Sequence, residues 1–475
     1  MSILRADGWN RRTAPNVWLS VAWNGLADRG LALVLLALTA GAVLGAAMLN
    51  APAVVLLVVA AAPILVVVGA RYGLVVLPVA IVVRALVDHL ETVTITGGIA
   101  VGLIGLALLV TWRSPSGLLT VFTVTGYLVI SAAAGATRFG ATTTYIEALR
   151  LVSALAVALV VLNAPGKLTA VGIARTAQYV GIVPAIVAIE QFATGTGTYI
   201  DGLLRASGTL AQANSAGALF AICNVASFAL LMTRAPRRTL NLALFVLFLG
   251  GQAATVSVGG AITCLVMVIV FLLTLRHARW ERIALSLLGI ALVLFLAVTS
   301  SPGRARLAEF TGAGANPLSK DNSLGWRIAA WKKVLDAWRQ NPVFGNGVGA
   351  TQANVILVGN IPHDEYVRLL AETGVFGLGL VLAGCAFYGL RMAGTVGSSA
   401  DFAPSLALAV LAGTLVNAIA ANTMLYSVSF YLTLFILAGC WRITHPRQAP
   451  RSAGTTRAAP ALPAPRARPA PRAVS

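Results

Sequence analysis

The stretch "IPHDEYVRLLAETGVFGLGLVLAGCAFYGL", residues 361–390, sets a histidine, two acids and a tyrosine directly before an apolar run of near-spanning length. Imidazole, carboxylate and phenol can move protons or hold polar ligands. Inside hydrocarbon such ionisable groups are costly, so they belong at its edge or in a wet cavity. Asn360 is placed to cap a helix beginning near Pro362, and Asp364 and Glu365 then fall where the helix dipole favours anions. Capping accounts for both acids but not for His363. On one continuous helix His363, Val367, Leu370, Gly374, Gly377 and Val381 share a face, so the pattern predicts a histidine above a glycine-lined seam against another helix. The same helix start disfavours imidazolium and predicts a neutral ring able to accept a proton.

Two further groups suit an anion. In "SLGWRIAAWKKVLDAWRQNPVFGNGVGA", residues 323–350, the spacing predicts a helix over 326–340 with Trp331, Val334, Leu335 and Trp338 as its apolar stripe. Arg327 lies four residues before Trp331, on that stripe, and is expected to face inward and require an anionic partner. Pro342 ends the helix, and Gly345, Gly347 and Gly349 follow. These glycines read as a tight loop in preference to a phosphate-cradling nest, because no strand–loop–helix pattern surrounds them. In "GLLRASGTLAQANSAGALFA", residues 202–221, Arg205 sits just before another apolar run. Its bland reading is loop charge, but it runs against the positive-inside trend, as does Arg138.

The elements that must position these residues are membrane helices. The chain has 475 residues, 58% hydrophobic and only 10% charged, too little charge to cover a soluble protein of this size. The expected fold is all-α and polytopic, with about fourteen spans near 30–49, 52–70, 72–88, 97–113, 117–135, 146–163, 170–193, 214–233, 239–257, 259–275, 282–299, 374–391, 403–421 and 424–441. The segment at 72–88 is short and interrupted by Arg84, a pattern that suits a re-entrant segment. The expected divisions are a cytoplasmic segment 1–29, helices across 30–299, an external lobe at 300–373, helices across 374–441 and a disordered Arg/Pro/Ala tail at 442–475. The lobe carries eight basic and six acidic residues, a mixture that fits a folded external unit.

The net charge of +19 lies largely in short loops and tails, where it sets topology, and no soluble basic domain supports nucleic-acid binding. Arg71, Arg113, Lys167, 234–238, 276–282, Arg391 and the tail then fall on the cytoplasmic side with both termini. Arg11-Arg12 reads as anchoring charge, since no cleavable pattern follows. Cys223, Cys264, Cys385 and Cys440 sit in apolar runs without metal-ligand spacing and read as small core hydrophobes.

Taken together, these pieces resemble the O-antigen ligase and O-antigen polymerase superfamily of bacterial membrane glycosyltransferases. The likeness covers roughly residues 195–390. It rests on His363-Asp364 followed after nine residues by Gly374 and then Gly377, on Arg327, Trp331, Pro342, Gly345 and Gly347, and on Arg205, Gly208, Thr209 and Asn214. Asp364 stands where the family commonly has a neutral residue, and "TVSVGG" at 255–260 lacks the family's frequent Ser-Arg pair. The resemblance implies transfer of a glycan from a polyprenyl-diphosphate carrier to a glycan or glycolipid acceptor, on the outer face of the bacterial cytoplasmic membrane, with no metal and no cofactor. It assigns His363 as catalytic base and Arg205 and Arg327 as substrate-binding cations. A transporter or flippase of lipid-linked oligosaccharides is the rival reading, and a membrane scaffold the third. A transporter favours charges at mid-membrane, whereas these residues cluster outside.

Overall fold

The computed structural model describes residues 72–90, 93–112, 118–200, 203–233, 235–275, 304, 323–352, 356, 361–397 and 401–446. The segment 1–29, the expected spans at 30–49, 52–70 and 282–299, nearly all of 300–322 and the tail beyond 446 lie outside the described residues.

The described residues form α1 (72–87), α2 (Val93–Trp112), α3 (Leu118–Phe139), α4 (Ala141–Asn163), α5 (Ala170–Thr194), a hairpin of β1 (Thr198–Ile200) and β2 (Leu203–Arg205), α6 (Ala213–Met232), α7 (Arg238–Ala254), α8 (Val258–Thr274), α9 (Ser323–Trp338), α10 (Glu365–Val396), α11 (Ala403–Ala418) and α12 (Ser427–Thr444). Among the described residues, six helical stretches are long and apolar enough to cross a membrane: Tyr72–Leu90, Thr144–Asn163, Ala170–Thr194, Ala213–Met232, Glu365–Val396 and Ser427–Thr444. The protein is an all-α membrane protein in which the hairpin is a local exception. The span expected near 72–88, whose interruption by Arg84 also suited a re-entrant segment, is a continuous helix long and apolar enough to cross a membrane. Buried Arg84 is tolerated there because Asp88, one turn on, pairs with it at 2.8 Å.

Helix α6 is the hub. It is buried along almost its whole length, and α5, α7, α8, α11 and α12 pack around it. Its alanines, serines and Gly217 admit close neighbours, and Phe220, Phe248, Phe271, Tyr431 and Phe435 fill the core around them. The four cysteines are free, and Cys223 and Cys440 are fully buried.

The connections separate into two ends. At one, Arg442 donates to the carbonyls of Val161, Ala164 and Gly166, Arg175 donates to that of Pro236, and Ser405 to that of Thr274. Arg442 therefore belongs to α12, where it caps the carbonyl end of α4, and not to a tail. At the other end, the 3-10 turn Asp88–Leu90, the hairpin, the turn at 255–257, the loop at 341–352, the start of α10 and the turn at 419–426 meet one another. Of the loops grouped on one side by their basic residues, those at 164–169 and 235–238 share an end, while Arg71, Arg113 and 276–282 lie outside the described residues.

Candidate active site

Arg205 is the last residue of β2, paired across the hairpin with Thr198. It is buried, and its Nε donates to the carbonyl of Thr255 at 3.2 Å while Nη2 donates to Asn214 Oδ1 at 2.6 Å. Ser257 Oγ also donates to that Asn214 oxygen, at 3.2 Å. The turn at 255–257, which lacks the family's arginine, thus holds an arginine contributed by the hairpin. Within that turn Val256 stands at φ 47, a left-handed backbone that a β-branched residue rarely adopts.

Arg327 lies in the first half of α9. Ala330 and Val334 pack that helix on Ala371 of α10, with Trp326, Trp338 and Val367 around them. Arg327 faces inward as its place on the stripe requires, and Nη1 donates to the carbonyl of Ala420 at 3.2 Å. A backbone carbonyl at the end of α11 is therefore one of its partners.

His363 corrects the expected helix start. Asp364, not Asn360, is the N-cap: its side chain accepts from Val367 N at 2.9 Å and the helix begins at Glu365. His363 precedes the cap at φ 52, a left-handed conformation uncommon outside glycine. It is held between Pro362, whose carbonyl accepts from Trp331 Nε1 at 2.8 Å, and the Asp364 cap. The Trp326 ring meets the imidazole edge-on, with centroids 6.0 Å apart.

The single helical face through His363 and Gly374 does not exist, because α10 breaks at Gly374, φ 67 and ψ −173. Past the break, Val375 N and Phe376 N donate to the carbonyls of Pro342 and Val343 at 3.0 and 3.1 Å. Asn346 N and Gly347 N donate back to those of Ala371 and Glu372 at 2.8 and 2.9 Å. The glycine loop is thus a backbone plug in the break, and the N–H groups of Gly345, Asn346, Gly347 and Val348 are spent within the protein. A Cβ at Gly374 would stand 2.1 Å from the Val343 oxygen, so only glycine fits. Gly377 abuts Tyr127 of α3, whose hydroxyl donates to the Thr373 carbonyl at 2.9 Å.

The three residues singled out from the sequence come together electrostatically. Burial first, then the charges of Arg327 and Arg205, lower the His363 pKa to about 4. Burial and two guanidinium groups thus favour the neutral ring. Burial raises the Asp364 carboxyl, against its bonds to the Val367 and Tyr366 N–H groups and the pull of Arg327. Arg138 is exposed in the last turn of α3 and does not join this group.

Sequence reading missed two features. Tyr426, buried at the end of the 3-10 turn Thr423–Leu425, lies close enough to Arg327 and Arg205 to feel both charges, and burial pushes its phenol up to about 12. A lone tyrosine before an apolar run carries no signal. Glu365 is not simply a dipole-capping acid, for it is buried against Arg368. The Glu365–Arg368–Glu372 spacing of three and four was the available clue.

Comparison with curated proteins returned no match. Residues 243–382 match the family model for O-antigen ligase, a stretch that contains Arg327, His363 and the break at Gly374 and begins after Arg205. The plug, the inward arginine and the histidine all lie within that stretch, so the part of the chain that carries them is similar to the O-antigen ligase family.

Proposed function

We propose that the protein transfers a glycan from a polyprenyl-diphosphate carrier to a hydroxyl of a glycan or glycolipid acceptor at the outer surface of the bacterial cytoplasmic membrane. The observation that carries this is the meeting of Arg205, Arg327 and neutral His363 at one end of an apolar helical bundle. A diphosphate on a lipid is anionic at one end and apolar at the other, so it must react at the membrane boundary. Two guanidinium groups supply fixed positive charge and forked donors for its oxygens.

In this reaction the acceptor oxygen bonds to the anomeric carbon. The carbon–oxygen bond to the diphosphate breaks, and the electron pair leaves with polyprenyl diphosphate. His363 takes the acceptor proton and later releases it to solvent. On its own the imidazole is a weak base, because burial and then Arg327 and Arg205 oppose imidazolium. Donor phosphates paired with those arginines offset that opposition and raise the basicity of His363 only in the loaded site. The grouping of Arg205, Arg327 and His363 at one end of the bundle favours this reading over a transporter.

Purified protein incubated with a lipid-diphosphate oligosaccharide and candidate acceptors, with products resolved by mass, tests it. Glycan joined to acceptor is expected. Ala at Arg205 or Arg327 should weaken donor binding or slow transfer, with Lys restoring only part. Unchanged transfer in both alanine variants would remove the arginines from the site. Movement of intact donor across vesicle bilayers without transfer would favour the flippase.

A further inference from the structure

A second ionic cluster lies within three turns of His363, inside the bundle. The Glu365, Arg368 and Glu372 side chains are at most 2% exposed. Arg368 Nε donates to Glu365 Oε1 at 2.8 Å, Nη2 donates to the same oxygen, and Nη1 donates to Glu372 Oε2 at 3.1 Å. The remaining carboxylate oxygens reach other segments. Glu365 Oε2 accepts from Met424 N at 3.1 Å. Glu372 Oε1 accepts from Thr351 N and Oγ1 at 3.2 and 2.6 Å.

Buried ion pairs are poor sources of stability, and apolar replacements of equal volume often serve as well or better. What apolar packing lacks is direction. Here one arginine orients two carboxylates, one gripping the turn at 419–426 and the other the loop at 345–352. That turn carries Ala420, which holds Arg327, and Tyr426. His363 is carried by the start of α10 itself. Sliding α10 against the turn would move the histidine relative to the arginine.

We propose that Glu365, Arg368 and Glu372 are a positioning clamp, which sets where His363 stands relative to Arg327 by fixing the first turns of α10 to both segments. The catalytic consequence rests on the transferase reading above. The charged and titratable groups around the imidazole are Arg327 from α9, Arg205 from the hairpin and the adjoining Asp364, with Tyr426 beside both arginines.

The test uses Thr351→Val, Thr351→Ser and the charge-free triple variant E365Q/R368M/E372Q in the full chain. It reads kcat, donor KM, thermal stability in detergent, and deuterium exchange at C2 of the His363 imidazole against pH. A displacement of about 1 Å is worth roughly a hundredfold in rate. The triple variant should keep its fold, lose about that much kcat with donor KM little changed, and show the His363 titration moved upward as Arg327 withdraws. Thr351→Val should shift the same readouts less, and Thr351→Ser should restore them. An unchanged titration and unchanged kcat in the folded triple variant and in Thr351→Val would overturn the clamp. Should the triple variant fail to insert, the Thr351 pair decides. If wild type transfers no glycan, the transferase reading fails, while the His363 titration still judges the clamp.

Discussion

At the scale of single residues, the mechanism asks most of His363. A general base contributes about a hundredfold to ten-thousandfold, so His363→Ala should remove detectable transfer while membrane insertion is unchanged. Near-normal turnover in that variant would make the histidine structural. The pH profile is a sharper check. A base held down to about 4 stays neutral at all pH values above that, so kcat/KM, which reports the free protein, should fall only as pH drops through about 4. Bound diphosphate raises the same group, so the acid limb of kcat should lie at higher pH than that of kcat/KM. Limbs that coincide would count against donor-relieved basicity. Arg327→Ala should move the kcat/KM limb upward by part of the distance to 6.5, with burial retaining the rest.

Individual elements depend on two local devices at the start of α10. The cap is worth about 1 kcal/mol, so Asp364→Ala should lower thermal stability by that order, whereas Asn, an equally good cap, should not. Asp364→Asn should also keep substantial transfer, since no step uses the carboxylate. The break at Gly374 is less forgiving. A side chain there must accept a left-handed backbone and displace the Val343 carbonyl. Strained backbone of this kind costs about 1–3 kcal/mol before the clash is counted. Gly374→Ala is therefore expected to unseat the 341–347 plug, read as faster proteolysis of that loop together with a lower Tm. A Tm equal to wild type would show that the plug does not need the break.

For the whole molecule, the two-ended grouping of connections carries the topology. Lys167, Arg175 and the 235–238 turn share one end, and the site shares the other with the loop after α9. We propose that the basic end faces the cytoplasm, as the charge bias demands. In a background with Cys223, Cys264, Cys385 and Cys440 replaced, Gln340→Cys should be labelled by an impermeant maleimide from outside intact cells and Lys167→Cys should not. The reverse pattern would turn the site to the cytoplasm and end the proposal of an external donor.

The sequence by itself determined the class of fold, because apolar run length and scarce charge admit few alternatives to a helical membrane protein. It also determined that Arg327 faces inward, since helical spacing alone puts it on the stripe of Trp331 and Val334. Arg205 was legible only as an oddity of charge placement. Tertiary structure decided what periodicity cannot express. A strict helical wheel ran His363 and Gly374 along one face, yet a cap at Asp364 and a left-handed glycine interrupt it at both points. The first is held by the Asp364 side chain on Val367 N, and the second by the 341–347 backbone, which supplies the hydrogen bonds that the broken helix gives up. Likewise Glu365 looked like a helix-start acid. Its burial against Arg368 and the Met424 N–H depends on segments some sixty residues apart, and no local pattern records such a meeting.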